Sequence, residues 1–154
     1  MNPNSKLSFN CAESVLLGIN ETNSIPNFGP PCLCIASLFG GGVVGMGELC
    51  GAVSGAIMAL GLFFGTDGNE AEDEFKMKRT CSNGIAKDFL DRFREAWGSI
   101  RCDSLVTMDK GEAPARGDNR LLSKELHSHC DDYINWSCEL VSQIIDSKSI
   151  EIKS

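Results

Sequence analysis

A chain of 154 residues has room for one ordinary domain and is long enough to bury a core without disulfide staples, which excludes multi-domain machinery. With 42% hydrophobic and 23% charged residues it reads as globular, so wholesale disorder and a polytopic membrane protein are excluded. A formal net charge of -7, from 14 Lys and Arg against 21 Asp and Glu, repels phosphate backbones and makes nucleic acid a poor partner.

In chain order, the opening MNPNSKLSFN carries one Lys and no apolar run behind it, so no secretory signal is expected and the placement is read as cytoplasmic. From Phe9 to Ile19, residues Cys11, Ala12, Val15, Leu16 and Ile19 fall on one helical stripe. Ile25 to Pro31, with three prolines, reads as a breaker. The glycines Gly40, Gly41 and Gly42 read as a tight bend that lets Phe39 and the following loop approach the next helix. Leu49 to Thr66 carries no charge, yet its flanks offer Glu48 and the acidic run Asp67 to Glu74 and no cluster of Lys or Arg. It is therefore expected to be a buried helix and not a membrane span. Gly47, Gly51, Gly55 and Ala59 recur every fourth residue as a small-residue ridge. Such a ridge is a packing device first and a homodimer face second.

Asp73 to Trp97 is the strongest helix, with Cys81, Ile85, Phe89, Phe93 and Trp97 stepping by four. Gly98 and Ser99 break it, and Ser99 can cap a short helix containing Cys102. A polar loop over Lys110 to Asn119 precedes a last helix from Ser128 to Asp146, striped by Cys130, Ile134, Cys138, Val141 and Ile145. No alternating run demands a strand. The expectation is an all-α, single domain over residues 1–154, a compact helical bundle around a buried glycine-rich central helix.

The eight cysteines lie at positions 11, 32, 34, 50, 81, 102, 130 and 138. In a reducing compartment such a set points to metal ligation, redox chemistry or burial and away from a permanent disulfide framework. Four of them fall near expected helix starts: Cys11 behind a Ser8 cap, Cys50 at the opening of the central helix, Cys102 behind Ser99, and Cys130 behind Ser128. Helix N-termini carry unpaired N–H groups and positive potential, which favour the thiolate, the form that reacts and that ligates metal. Cys81 and Cys138 sit mid-helix on apolar stripes and read as small buried hydrophobes. Cys32 and Cys34 form a C-x-C pair behind Pro30 and Pro31, read as solvent-side or packing residues. No C-x-x-C occurs, so a thioredoxin motif and a zinc ribbon are excluded. No phosphate-binding GxxxxGK[ST] occurs, and GGGVVG lacks the strand and acidic partner of a dinucleotide site. His127 and His129, beside Cys130, read as capping or solvent groups.

Three segments, Asn10-Cys11-Ala12-Glu13-Ser14-Val15-Leu16, Phe39 to Gly42 (FGGG) and Cys50 to Gly55 (CGAVSG), together resemble the C_GCAxxG_C_C family of redox-active proteins. Trp97-Gly98-Ser99-Ile100-Arg101-Cys102 resembles the family's third cysteine segment, and Cys130-Asp131-Asp132-Tyr133-Ile134 its fourth. Before the first cysteine the chain departs from the pattern, because Lys6 to Phe9 is short and lacks the family's glycine. The resemblance implies an α-helical cytoplasmic protein linked to oxidoreductase or transport functions. It makes Cys11, Cys50, Cys102 and Cys130 a quartet with catalytic, cofactor-binding and metal-binding roles, with Cys138 as an alternative fourth member.

On that reading the quartet holds an iron–sulfur cluster for electron transfer, or cycles between dithiol and disulfide with Cys50 as the better nucleophile. Zinc binding by the four thiolates, or a purely structural interaction module, stands as the alternative. No nucleophile, base and orienter constellation appears, so an electron carrier or oxidoreductase accessory subunit is favoured over a turnover enzyme. The acidic surface suits a basic redox partner protein.

Overall fold

The structure is a computed structural model that describes residues 7–110 and 129–153. Among the described residues the helices are α1 (Cys11–Asn23), α2 (Pro30–Ala36), α3 (Gly51–Phe64), α4 (Glu72–Trp97), α5 (Cys102–Lys110) and α6 (Cys130–Lys153). The fold is all-α, and among the described residues the β structure consists of an isolated antiparallel bridge between Leu49 and Arg101. No described helix is long and apolar enough to cross a membrane.

The start of α1 is fixed by Asn10 and not by Ser8. Its side-chain oxygen accepts from the backbone N–H groups of Ala12 and Glu13 at 2.9 and 3.1 Å, and its own N–H donates to the Glu13 carboxylate at 2.8 Å. This reciprocal capping box satisfies donors that a helix start otherwise leaves open. Cys11 is consequently the first helical residue and not the third. The Asn10 side-chain amide also donates to the carbonyls of Ala36 and Ser37, tying α1 to the end of α2.

The break expected over Ile25 to Pro31 separates α1 from α2 but is shorter than expected, because α2 begins within it at Pro30. Pro30 and Pro31 occupy the first turn of this helix, where a missing N–H costs nothing because that group has no intrahelical acceptor.

Helix α3 lies between α1, α4 and α6, and Gly51 to Ala56, Ala59 and Leu60 are buried. Gly47 falls outside it, in a loop with φ +75°, so the ridge begins at Gly51. A Cβ at Gly55 would lie 2.6 Å from the Ala12 carbonyl oxygen, and one at Gly51 would lie 2.8 Å from the Cys11 Cβ. Both glycines are therefore filled by α1 of the same chain. That contact takes the face that a homodimer through the ridge would need.

Helix α4 runs for 26 residues against 14 in α3, roughly 39 Å against 21 Å. Its N-terminal half consequently outruns the core, and only Phe89 and Phe93 are fully buried. Cys81 is exposed, which corrects its reading as a buried hydrophobe. The C-terminal half meets α6 through an aromatic cluster in which Phe93 and Trp97 both pack on Tyr133 and Trp136. Gly98 ends α4 in the left-handed conformation, as the sequence break suggested. Cys138 is half-buried where α6 crosses α1; its sulfur lies 3.0 Å from the Cβ position of Gly18 and donates to the Val15 carbonyl at 3.7 Å. This agrees with a packing role. The polar segment over residues 111–128, with the Ser128 cap and His127, lies outside the described residues.

Candidate functional site

Four helix starts converge at one end of the bundle. Cys11, Cys102 and Cys130 are the first residues of α1, α5 and α6, and Cys50 is the N-cap residue of α3. The side chains of Cys130 and Cys11 act on each other more strongly than any other group acts on either. Charge on Cys11 is felt at Cys50 and Cys102, and Cys130 feels charge on the other three sulfurs. Cys138, the alternative fourth member, has no such coupling; its one charged neighbour in this respect is Glu139, and burial chiefly raises its thiol to about 11. The remaining cysteines lie elsewhere. Cys32 lines an apolar groove of about 210 Å³ with Leu16, Met58 and Leu62, Cys34 is exposed on α2, and Cys81 borders an open groove of about 830 Å³ between α4 and α6.

Two short backbone segments hold Cys50 and Cys102. Around the Leu49–Arg101 bridge, the Cys50 N–H donates to the Ile100 carbonyl at 2.9 Å and the Cys102 N–H donates to the Glu48 carbonyl at 2.7 Å. In an antiparallel ladder of this register, residues 48, 50, 100 and 102 share one face, so Cys50 and Cys102 are diagonal neighbours. Arg101 clasps the ladder from its side chain, donating to Glu48 at 2.7 Å and to Asp103 at 2.9 Å. The paired carboxylates hold the guanidinium in its charged form, and the guanidinium in turn holds the Asp103 carboxyl below its ordinary range.

A glycine-rich loop covers this ladder. Five consecutive residues, Gly41 to Gly45, have positive φ, and two of them are Val43 (62°) and Val44 (45°). β-branched residues rarely adopt this conformation, because Cβ crowds the carbonyl. The turn is closed by backbone hydrogen bonds from Val44 to Leu38, Gly45 to Gly40, Gly47 to Gly41 and Glu48 to Gly42. Gly42 is required where it stands: a Cβ there would lie 2.7 Å from the Cys102 Cβ and 2.6 Å from the Glu48 nitrogen. The Phe39 carbonyl oxygen comes within 3.1 Å of the Gly51 Cβ position, which is the approach to the central helix that the glycine cluster suggested.

The four thiols differ sharply in electrostatics. Cys11 is held below the usual thiol range chiefly because Cys130 donates to it, against the opposing effect of burial. Cys130 is raised by the same bond, since it keeps the proton. Burial pushes Cys50 up to about 12, and burial with the charge of Cys50 pushes Cys102 up to about 12. Cys50 is 4% exposed, so it is not the better nucleophile. Opening a long helix does not offset the loss of solvent.

Iron–sulfur and zinc roles both need several sulfurs turned toward a common centre. Among the described residues no three His, Cys, Asp or Glu side chains are arranged to hold a metal ion. Among the described residues, the quartet is not gathered into such a ligand set. His129 faces outward and pairs with Asp132 at 3.0 Å.

The sequence reading missed the supports of the site. Asn10 to Glu13 has capping-box spacing and was readable. The charged residues flanking two of the cysteines, Glu48, Arg101 and Asp103, carry no periodic signal.

Three comparisons with known proteins bear on this arrangement. Over 144 aligned positions, which take in 90% of this chain, it is 27% identical to "Single-strand DNA endonuclease 1" of Oryza sativa subsp. japonica, of which the match covers 21%. The chain spans about a fifth of that relative's length. No solved structure matches the chain. Residues 9–144 match the family described as "Putative redox-active protein (C_GCAxxG_C_C)", a span that takes in all four converging cysteines, and the chain belongs to that family.

Proposed function

We propose that this protein exchanges thiols for disulfides, with Cys11 as the attacking sulfur and Cys130 as the resolving one. The juxtaposition of Cys11 and Cys130 carries the reading, because it pairs two thiols at the starts of α1 and α6 and holds one of them, Cys11, below the usual thiol range. The family's redox description agrees with it.

The chemistry balances without a metal. The Cys11 thiolate attacks one sulfur of a substrate disulfide, that S–S bond breaks, and the departing thiolate takes up a proton. Cys130 then loses its proton and attacks the Cys11 sulfur of the mixed disulfide, which releases the second substrate thiol. The substrate gains two electrons and two protons, and the protein is left with a Cys11–Cys130 disulfide. The reverse exchange with a dithiol protein restores it. With a net charge of -7, a basic face on that redox partner is the complementary surface.

The test is metal, sulfide and thiol analysis on protein purified without oxygen. The expected result is no stoichiometric metal, and loss of two thiols on mild oxidation with recovery of a peptide linking Cys11 to Cys130. Stoichiometric iron and sulfide would replace this reading with a cluster-bearing electron carrier. Zinc, together with unfolding by chelator, would replace it with a structural metal site.

A further inference from the structure

The geometry points to a docking surface beside Cys11: the uncharged segment from Ile35 to Met46 forms an apolar apron that seats the polypeptide carrying the substrate disulfide, while the acidic start of α6 meets basic residues of the same polypeptide. This rests on the thiol–disulfide reading of Cys11 and names the class of substrate it takes, a protein disulfide set between an apolar strip and a basic one.

Backbone contacts hold the apron against the attacking cysteine. The Asn10 side-chain amide donates to the carbonyls of Ala36 and Ser37 at 3.2 and 3.0 Å, one residue before Cys11. The Phe39 carbonyl oxygen stands 3.1 Å from the Gly51 Cβ position, which itself lies 2.8 Å from the Cys11 Cβ. The Val44 N–H donates to the Leu38 carbonyl at 2.9 Å and folds the loop back beside Leu38. Of the seven large hydrophobic residues exposed among the described ones, four fall on this segment: Ile35, Leu38, Val44 and Met46. Apolar side chains gathered on one exposed strip mark an interaction site, where scattered ones would need no explanation.

Charge says what covers the strip. No charged residue occurs from Thr22 to Gly47, so the apron offers apolar contact and no ion pair. At the start of α6, Asp131 and Asp132 are exposed, and the charge of Asp131 reaches Cys11. The complementary occupant is apolar over the apron and basic over α6. A second copy of the chain fits less well, because it brings a net charge of -7 to an equally charged neighbour. The backbone agrees. Val43 and Val44 hold positive φ although Val44 is exposed, so burial within the chain does not offset the strain. Contact with a partner supplies the missing burial.

The probes are hexapeptides whose cysteine is held as a mixed disulfide with thionitrobenzoate, flanked by three leucines on one side and two lysines on the other. In one control peptide serines replace the leucines, in a second glutamates replace the lysines, and each is made in both orders. The Cys11 thiolate attacks the peptide sulfur, the S–S bond breaks, and thionitrobenzoate leaves as a coloured thiolate whose release gives the rate. The full-length parent carries C32S, C34S and C81S, which silences thiols outside the cluster. Each rate is divided by that of the same peptide with N-acetylcysteine, and circular dichroism verifies that every variant is folded. The leucine–lysine peptide should react about tenfold faster than either control. The preference for leucine should vanish in I35S/L38S/M46S, and the preference for lysine in D131N/D132N. A control peptide as fast as the leucine–lysine one in the parent, or a preference that survives its folded variant, overturns the docking surface and leaves the exchange chemistry standing. A parent that is dimeric in size-exclusion chromatography but monomeric as I35S/L38S/M46S makes the apron a contact between copies and overturns it as a substrate seat. Release by folded C11S as fast as by the parent overturns the reading beneath.

Discussion

The rim of the cysteine cluster and its floor are built from the same part, a cysteine at a helix start, and they come out chemically opposite. At the rim, Cys11 keeps a donor in Cys130 and is held below the usual thiol range. At the floor, Cys50 and Cys102 have lost solvent and rise to about 12. The helix N-terminus is common to both regions, so it does not decide the ionisation. Burial and the hydrogen-bond partner do.

The largest consequence is at the floor and is read at alkaline pH. A thiol whose folded value lies above its unfolded one favours folding below the unfolded value, and that contribution is lost as pH rises through the folded value. For Cys50, raised from 9.0 to about 12, the window is pH 9 to 12 and the loss is about 4 kcal/mol. Urea unfolding at stepped pH should show this decline in wild type and a flatter profile in the C50A/C102A variant. Equal slopes in the two proteins would remove the distinction between floor and rim.

A second change drives the two regions apart. Gly51→Ala places a methyl group 2.8 Å from the Cys11 Cβ and 3.1 Å from the Phe39 carbonyl oxygen, where backbone on one side cannot yield cheaply. Overpacking of this kind should cost about 2 kcal/mol in unfolding free energy, measured by urea titration. The displaced Cys11 should also lose its alkylation advantage. A neutral or stabilising result would mean that the α1–α3 contact is looser than these distances require.

The rim itself is tested by Cys130→Ala, which removes the donor and leaves Cys11 in place. Alkylation of Cys11 followed against pH should shift its midpoint upward and slow below that midpoint, because the group that holds the thiol low is gone. No shift would assign the low value to the helix start alone and would make rim and floor differ by burial only.

How much of this was legible in the chain varies by element. The stripes of α1, α4 and α6 fixed those helices, since Val15, Leu16, Ile19, Phe89, Phe93 and Val141 are fully buried as their spacing required. The glycine spacing in α3 announced a close approach, and α1 supplies it. Position near a helix start marked all four quartet cysteines. Three things were hidden. Pro30 and Pro31 look like breakers until the helix beginning at Pro30 makes their missing N–H groups harmless. Cys81 lies on a regular stripe but beyond the end of its packing partner, and a helix's own sequence does not record how far its neighbour extends. The ladder joining Leu49 to Arg101 spans one bridge, too short to leave a period, yet it places the floor of the site.

The smallest predicted effect concerns the loop that covers that floor. Val43 and Val44 adopt positive φ in a turn held closed by backbone bonds, and such a conformation costs a non-glycine residue about 1–2 kcal/mol. Val44 is 55% exposed, so little burial is forfeited by replacing it. Asn tolerates the left-handed region and, unlike Gly, leaves the unfolded chain's freedom nearly unchanged. Val44→Asn should therefore raise stability by about 0.5–1 kcal/mol in urea unfolding while leaving the Cys11 alkylation midpoint where it is. The separation of the two readouts is the point of the variant. The loop touches the floor through Gly42 and Cys102, and the rim gains its chemistry from Cys130 on α6. A shift of the Cys11 midpoint in V44N would show that loop strain reaches the rim, and that the two regions are set by one conformational balance and not by their separate surroundings.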